Sequence, residues 1–358
     1  MKSLPLKIIR TLHAWGGLTL ALLLMLASIT GTLLVWKEDY VKLTTPAAQV
    51  DFEPTPAALA PIAQAIEDHF DNNDILNVQF ATAEFPLSRV TLIDTNYAYV
   101  DSNGNVVHQW HMNDRIEEWL YDLHHRLLLE DLGLTIIGIS AMAAVILVVL
   151  GVITFVPLRR HFNKGILPSG FNRFALINSH RNLGIIITLP LLLTLVTGIT
   201  LAFPFQVEDM FLEELRRTEA YSDAMVVGID EITGEGTGDW LPAFERTLAV
   251  FPGATIRSTS VPGGYSAHRV IGVQLPGQWN RVGTSHVYID SEMGYMDLRI
   301  DSGGFPAIEQ VYNTFYPLHT GKTGSLLYKL LLTLFGIGIA GLSFMGCASF
   351  IKSRLQQA

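Results

Sequence analysis

Four histidines stand where long apolar runs begin, in the stretches RTLHAWGG (10–17), LYDLHHR (120–126), INSHRNLG (177–184) and YPLHTG (316–321). They fall into two kinds. His13 and His180 each open the pattern H-x3-G-x12-T-G, with Gly17, Thr30 and Gly31 after the first and Gly184, Thr197 and Gly198 after the second. His124 and His319 each close the pattern Tyr-x-Leu-His, and Gly151 and Phe155 follow the one at the offsets of Gly346 and Phe350 after the other. A single histidine at a membrane edge is ordinarily a solvated end residue. Four in repeated register point to imidazole acting as a ligand.

Two imidazoles from facing helices can hold one metal inside a helical bundle. A bare ion usually draws three or four protein ligands, often with carboxylate or thiolate among them. No Asp or Glu occurs in any of the apolar runs, and Cys347, the single cysteine, is not beside a histidine. Two neutral imidazoles suit the two axial positions of a haem iron, whose porphyrin supplies the other ligands. One cysteine also excludes a four-cysteine iron–sulfur cluster, a covalent c-type haem and an internal disulfide.

On a helix of 3.6 residues per turn, Gly17 and Gly31 share the His13 stripe, and Gly184 and Gly198 the His180 stripe. Small residues there leave a slot for a macrocycle or for a neighbouring helix. Gly151 and Gly346 do not return to the histidine face and read as helix packing. His125 is the competing ligand at the second site, pointing about 100° from His124. Arg10, Arg181, Arg126 and Lys322 flank the four histidines, as partners for haem propionates or as interface anchors. Trp15 is a candidate lining residue. His108 and His111 are candidates to assist a substrate outside the membrane; His69, His161, His268 and His286 read as loop, surface or core residues.

The elements that must position these groups are transmembrane helices. Of the 358 residues 49% are hydrophobic and only 16% charged. Runs at roughly 11–36, 132–156, 182–205 and 326–351 are each long enough to span, which takes about 20 apolar residues. All 33 acids lie in 37–131 and 208–309, while the short remaining pieces carry basic residues such as Lys7, Arg10, Arg159, Arg160, Lys164, Arg173, Lys352 and Arg354. The positive-inside rule puts those pieces, and both termini, in the cytoplasm. The net charge of −9 then belongs to two outer segments, which disfavours nucleic acid as a partner. The first apolar run reads as an uncleaved anchor rather than a signal peptide.

The expected plan is a membrane all-α four-helix bundle of two parallel pseudo-repeats, with two α+β outer domains. Its parts are a helix at 1–36, an outer domain at 37–131, a helix at 132–156 and a cytoplasmic loop at 157–179. A helix at 180–205, an outer domain at 206–318 and a helix with tail at 319–358 repeat the plan. In the outer segments, LAPIAQAIEDHF (59–70) has helical spacing, and RVTLID and YAYVDSNGNVV read as strands around a turn at 102–104. Residues 239–261 read as a helix leading to a strand; RVIGVQL and SHVYIDSEMGYMDLR (285–299) read as further strands.

With these motifs in hand, the chain resembles the PepSY-associated transmembrane family, the inner-membrane iron-uptake proteins that include FoxB- and PiuB-type ferric-siderophore reductases. The likeness covers nearly the whole chain: four helices, H-x3-G…T-G twice, Tyr-x-Leu-His twice, and two outer segments similar in outline to PepSY modules. The resemblance implies two b-type haems, with His13 and His180 as axial ligands of the inner one and His124 and His319 of the outer one. It also implies a bacterial inner membrane and reduction of a ferric siderophore or other Fe(III) chelate in the periplasm. With no G-x-G-x-x-G stretch for a nucleotide, the donor would be a quinol or a separate reductase. Two rival readings are a metal or siderophore transporter and a PepSY-type regulatory or binding protein without redox activity. The first predicts polar groups through the middle of the spans. The second leaves four paired histidines without a role.

Overall fold

The computed structural model describes residues 4–217, 225–227, 239–263, 268–290 and 296–355. The chain divides into two compact units, one of residues 1–36, 119–204 and 318–358, the other of 37–118 and 205–317.

The first unit is helical. Three helices, Pro5–Leu34, Glu130–His161 and Leu326–Leu355, are long and apolar enough to cross a membrane. In lipid the backbone must satisfy its own hydrogen bonds, and an unbroken helix does so. The third expected helix is instead broken: Arg173–Ile186 and Thr188–Ala202 meet at a bend of 68° and pass the same test only together. Pro190 stands just after the break. It has no N–H for the carbonyl of Ile186 and its ring crowds that carbonyl. Thr188 adds a side-chain bond to Gly184 O at 2.7 Å, of the kind that bends helices. At the same offset from its histidine, the first helix has Leu23 and runs unbroken from Leu4 to Leu34.

The bend gives the two halves different neighbours. Arg173–Ile186 packs on the last helix, and Thr188–Ala202 packs on the second long helix, while the first helix packs on both of those. The shared core includes Ala144, Leu183, Ile187, Leu191, Leu195 and Ile339. Where the first and last helices cross, a Cβ on Gly336 would stand 1.9 Å from Thr32 Oγ1, so only glycine allows that approach.

The second unit is built on one antiparallel sheet. From the first outer segment come β1 (Ile75–Gln79), β2 (Ser88–Leu92), β3 (Asn96–Val100) and β4 (Val106–His111). From the second come β5 (Met225–Val227), β6 (Thr255–Ser260), β7 (His268–Gln274), β8 (Ser285–Asp290) and β9 (Met296–Ile300). Their order is β4-β3-β2-β1-β6-β7-β8-β9-β5. The turn at 102–104 falls between β3 and β4, with Gly104 at φ +82°. The expected strand over 285–299 is two strands; residues 291–295 of that reading, like Lys2 at the N-terminus, lie outside the described residues.

The helices Pro56–His69 and Trp240–Val250 pack on the sheet. Leu59, Ile62, Ile66, Trp240 and Phe244 bury against Val78, Ile256, Ile271 and Val287. Thr55 caps the first of them by accepting from Ala58 N, with Pro56 at the first helical position. The two outer segments, read from the sequence as two modules, join into a single sheet. β1 pairs with β6 through Val78 opposite Thr259 and Gln79 opposite Ser258, and Phe80 N donates to Arg257 O at 2.8 Å. Each segment thus contributes a helix and four strands to one core, and β5 extends the far edge beside β9.

Candidate functional site

The four histidines come together in pairs within the helical unit. His13 lies in the first helix and His180 in the helix before the bend; their ring centres are 6.2 Å apart. His124 ends the short helix Ile116–Arg126 and His319 lies in Phe315–Thr320; their ring centres are 6.3 Å apart. Each pair takes one histidine from each half of the chain.

The hydrogen bonds fix the tautomer of every ring. His13 Nδ1 is 3.0 Å from Leu147 O, and His180 Nδ1 is 2.9 Å from Leu342 O. A carbonyl can only accept, so both Nδ1 atoms carry the proton. His124 Nδ1 is 3.0 Å from Thr30 Oγ1, and His319 Nδ1 is 3.0 Å from Thr197 Oγ1. Those hydroxyls give their own protons to Leu26 O and Leu193 O, each at 2.8 Å, and so accept from the imidazoles. All four Nε2 lone pairs are therefore available, and none has a hydrogen-bond partner among the described residues. A histidine whose outer nitrogen is tied and whose other nitrogen is bare is arranged as a metal ligand is.

Glycines make these contacts possible. A Cβ on Gly31 would meet His124 Cε1 at 2.8 Å, and one on Gly198 would meet His319 Cε1 at 3.1 Å. Gly151 and Gly346 stand likewise against His13 and His180, at 3.1 and 3.0 Å. The expected packing role of Gly151 and Gly346 is thus packing against a histidine ring. They also sit four residues after Leu147 and Leu342, where a side chain would cover the accepting carbonyl. By contrast Gly17 has nothing within 4 Å of its position, and Gly184 has only Leu342 Cδ1 at 3.4 Å.

The spacing of the pairs follows from the helix. Gly31, which touches His124, is 18 residues beyond His13, about 27 Å at 1.5 Å per residue. That nearly matches a hydrocarbon core of about 30 Å. Between them lies the apolar core already described.

His125 is not in a pair. Its ring stacks on Tyr121 at 5.3 Å, and its buried Nδ1 has no hydrogen-bond partner among the described residues. Among the flanking cations, Arg181 is committed to His161 O at 2.8 Å, to Asn182 Oδ1 and to Asn178 Oδ1 at 2.5 Å. Arg10 is exposed and Lys322 half-buried. Arg126 is half-buried, and its Nε has no hydrogen-bond partner among the described residues. Trp15 packs edge-on against Phe350 at 5.0 Å, with Arg354 over its ring. His108 and His111 both lie on β4; burial, then the charge of Arg115, holds His108 below the ordinary histidine value, and His111 bonds Thr95 Oγ1 at 2.8 Å.

The donor set decides what could be held. No group of three or more His, Cys, Asp or Glu able to hold an ion occurs among the described residues. A metal at either pair must bring its remaining ligands with it, as a porphyrin iron does. The separation also fits: two metal–nitrogen bonds of about 2 Å and an imidazole half-width of about 1.1 Å on each side would put two ring centres about 6.2 Å apart.

A comparison with curated proteins finds no match. The family model described as the PepSY-associated TM region matches residues 10–352, a stretch that includes all four histidines. On a match over nearly its whole length, the chain belongs to the PepSY-associated TM family.

Proposed function

We propose that the chain is a dihaem ferric-chelate reductase of the bacterial inner membrane. In this reading Arg173–Ala202 crosses as one bent span, completing a four-helix bundle with both termini cytoplasmic and PepSY-like periplasmic segments. The His13–His180 pair holds an inner b-type haem and the His124–His319 pair an outer one.

One observation carries the reading: two histidine pairs at opposite ends of an apolar bundle, with ring centres 6.2 and 6.3 Å apart and each Nε2 bare, without further protein ligands among the described residues. Bound there, each iron supplies a one-electron couple. The chain's own residues do the rest. Leu147 O, Leu342 O, Thr30 and Thr197 hold the imidazoles in one tautomer. Leu183, Leu191, Leu195 and Ile339 exclude water between the pairs. Arg126 offers an unmet donor to a propionate. The electron acceptor outside is a ferric siderophore or other Fe(III) chelate, and one electron yields Fe(II), which hard oxygen donors hold less firmly. A quinol or a separate reductase supplies the electrons. The transporter alternative needs polar groups through mid-span, where the described core is apolar.

The test uses vesicles with the chain inserted, a reductant trapped inside, and ferric hydroxamate with an Fe(II)-specific dye outside. The reading expects external Fe(II) from wild type and at least about tenfold less from His13→Ala and His319→Ala. Equal rates from wild type and both variants would overturn it.

A further inference from the structure

The two histidine pairs are supported by different chemistry. The rings of His13 and His180 donate to amide carbonyls, Leu147 O and Leu342 O. The rings of His124 and His319 donate to hydroxyls, Thr30 Oγ1 and Thr197 Oγ1. The local design is otherwise the same at all four rings. Each ring lies against a glycine, and each glycine uncovers the carbonyl four residues before it. For Gly151 and Gly346 that carbonyl belongs to Leu147 and Leu342, and the ring takes it directly. For Gly31 and Gly198 it belongs to Ala27 and Thr194. There, however, a threonine is interposed: Thr30 Oγ1 reaches Ala27 O and Thr197 Oγ1 reaches Thr194 O, each at 3.1 Å. The residues at the matching positions, Leu150 and Met345, have no hydroxyl.

An amide carbonyl is a stronger acceptor than an alcohol oxygen. Donation by the threonine hydroxyl strengthens its oxygen as an acceptor by only about 10–30%. The stronger acceptor pulls the Nδ1 proton further and makes the opposite nitrogen a better donor to metal, which favours the ferric state. Hydrogen bonding around ligands is one of the means by which a protein sets an iron potential.

Resting on the dihaem reading, we propose that Thr30 and Thr197 are positioning residues that set a redox gradient: the His13–His180 site has the lower midpoint and the His124–His319 site the higher. The transfer so favoured moves one electron from a ferrous inner site to a ferric outer site, leaving ferric inner and ferrous outer, with no bond broken and no proton moved. Its direction is outward, toward the Fe(III) chelate.

The experiment is a spectroelectrochemical titration of the purified full-length chain, with Thr30→Ala, Thr197→Ala and the two Ser variants beside wild type. Wild type should show two midpoints favouring one site by about tenfold or more, which is 59 mV for a one-electron couple. Each Ala variant lets the ring fall onto the uncovered carbonyl, so the higher midpoint should drop toward the lower, which stays in place. Each Ser variant keeps the hydroxyl and should match wild type. Coincident wild-type midpoints, movement of the lower midpoint in the Ala variants, or Ser variants that behave as Ala would overturn the gradient while leaving the dihaem reading intact. A chain without haem would defeat the dihaem reading itself; if an Ala variant loses its outer haem, the single midpoint left is that of the His13–His180 site and must be the lower of the two wild-type values, and the higher value remaining would overturn the gradient.

Discussion

The histidines were legible because imidazole is a rare side chain at membrane depth and here it recurs in register at His13, His180, His124 and His319. Their supports were harder to read. Leu147 and Leu342 act through backbone oxygens, which leave no trace in residue type. The trace lies instead in Gly151 and Gly346, whose equal offsets mark where a ring must reach a carbonyl. A Gly346→Val change should push the His180 ring aside, since even a Cβ there meets it at 3.0 Å. Overpacking of this kind costs about 1–3 kcal/mol. We expect haem content per chain to fall by roughly half in a pyridine haemochrome assay, with the helical far-ultraviolet signal retained; unchanged haem content would mean that this glycine does not seat the ligand.

At the scale of elements, the apolar runs gave the spans but not the break in the third. Pro190 was visible in the sequence, yet a proline in an apolar run is often absorbed by neighbouring helices. What made it a 68° bend is the combination with Thr188 bonded to Gly184 O and the two different helices that its halves meet. Replacing Pro190 by leucine, as at Leu23, restores the missing N–H. Straightening the pair would lengthen its end-to-end distance by about 7 Å at 1.5 Å per residue. Spin labels at positions 173 and 202 should report an increase of that order. An unchanged distance would place the cause of the bend in packing rather than in the proline.

Across the whole molecule, the alternating strands and the turn at 102–104 were readable, whereas the joining of β1 to β6 was not, because a sheet edge does not name its partner. The helix Trp240–Val250 and the helix Pro56–His69 share one core, so damage to either half should be felt by both. Phe244 is fully buried there, and Phe244→Ala should cost about 3–5 kcal/mol. A thermal melt should show that loss in a single transition of the sheet unit, with the histidine pairs unaffected; two separate transitions, only one of them shifted, would contradict a shared core. What the histidine pairs hold is tested by the absorption spectrum of the detergent-purified chain, oxidised and dithionite-reduced, with haem counted per chain. Wild type and His125→Ala should show low-spin bands and two haems per chain, and His124→Ala one. A colourless chain, made with ample haem supplied, would contradict the dihaem reading.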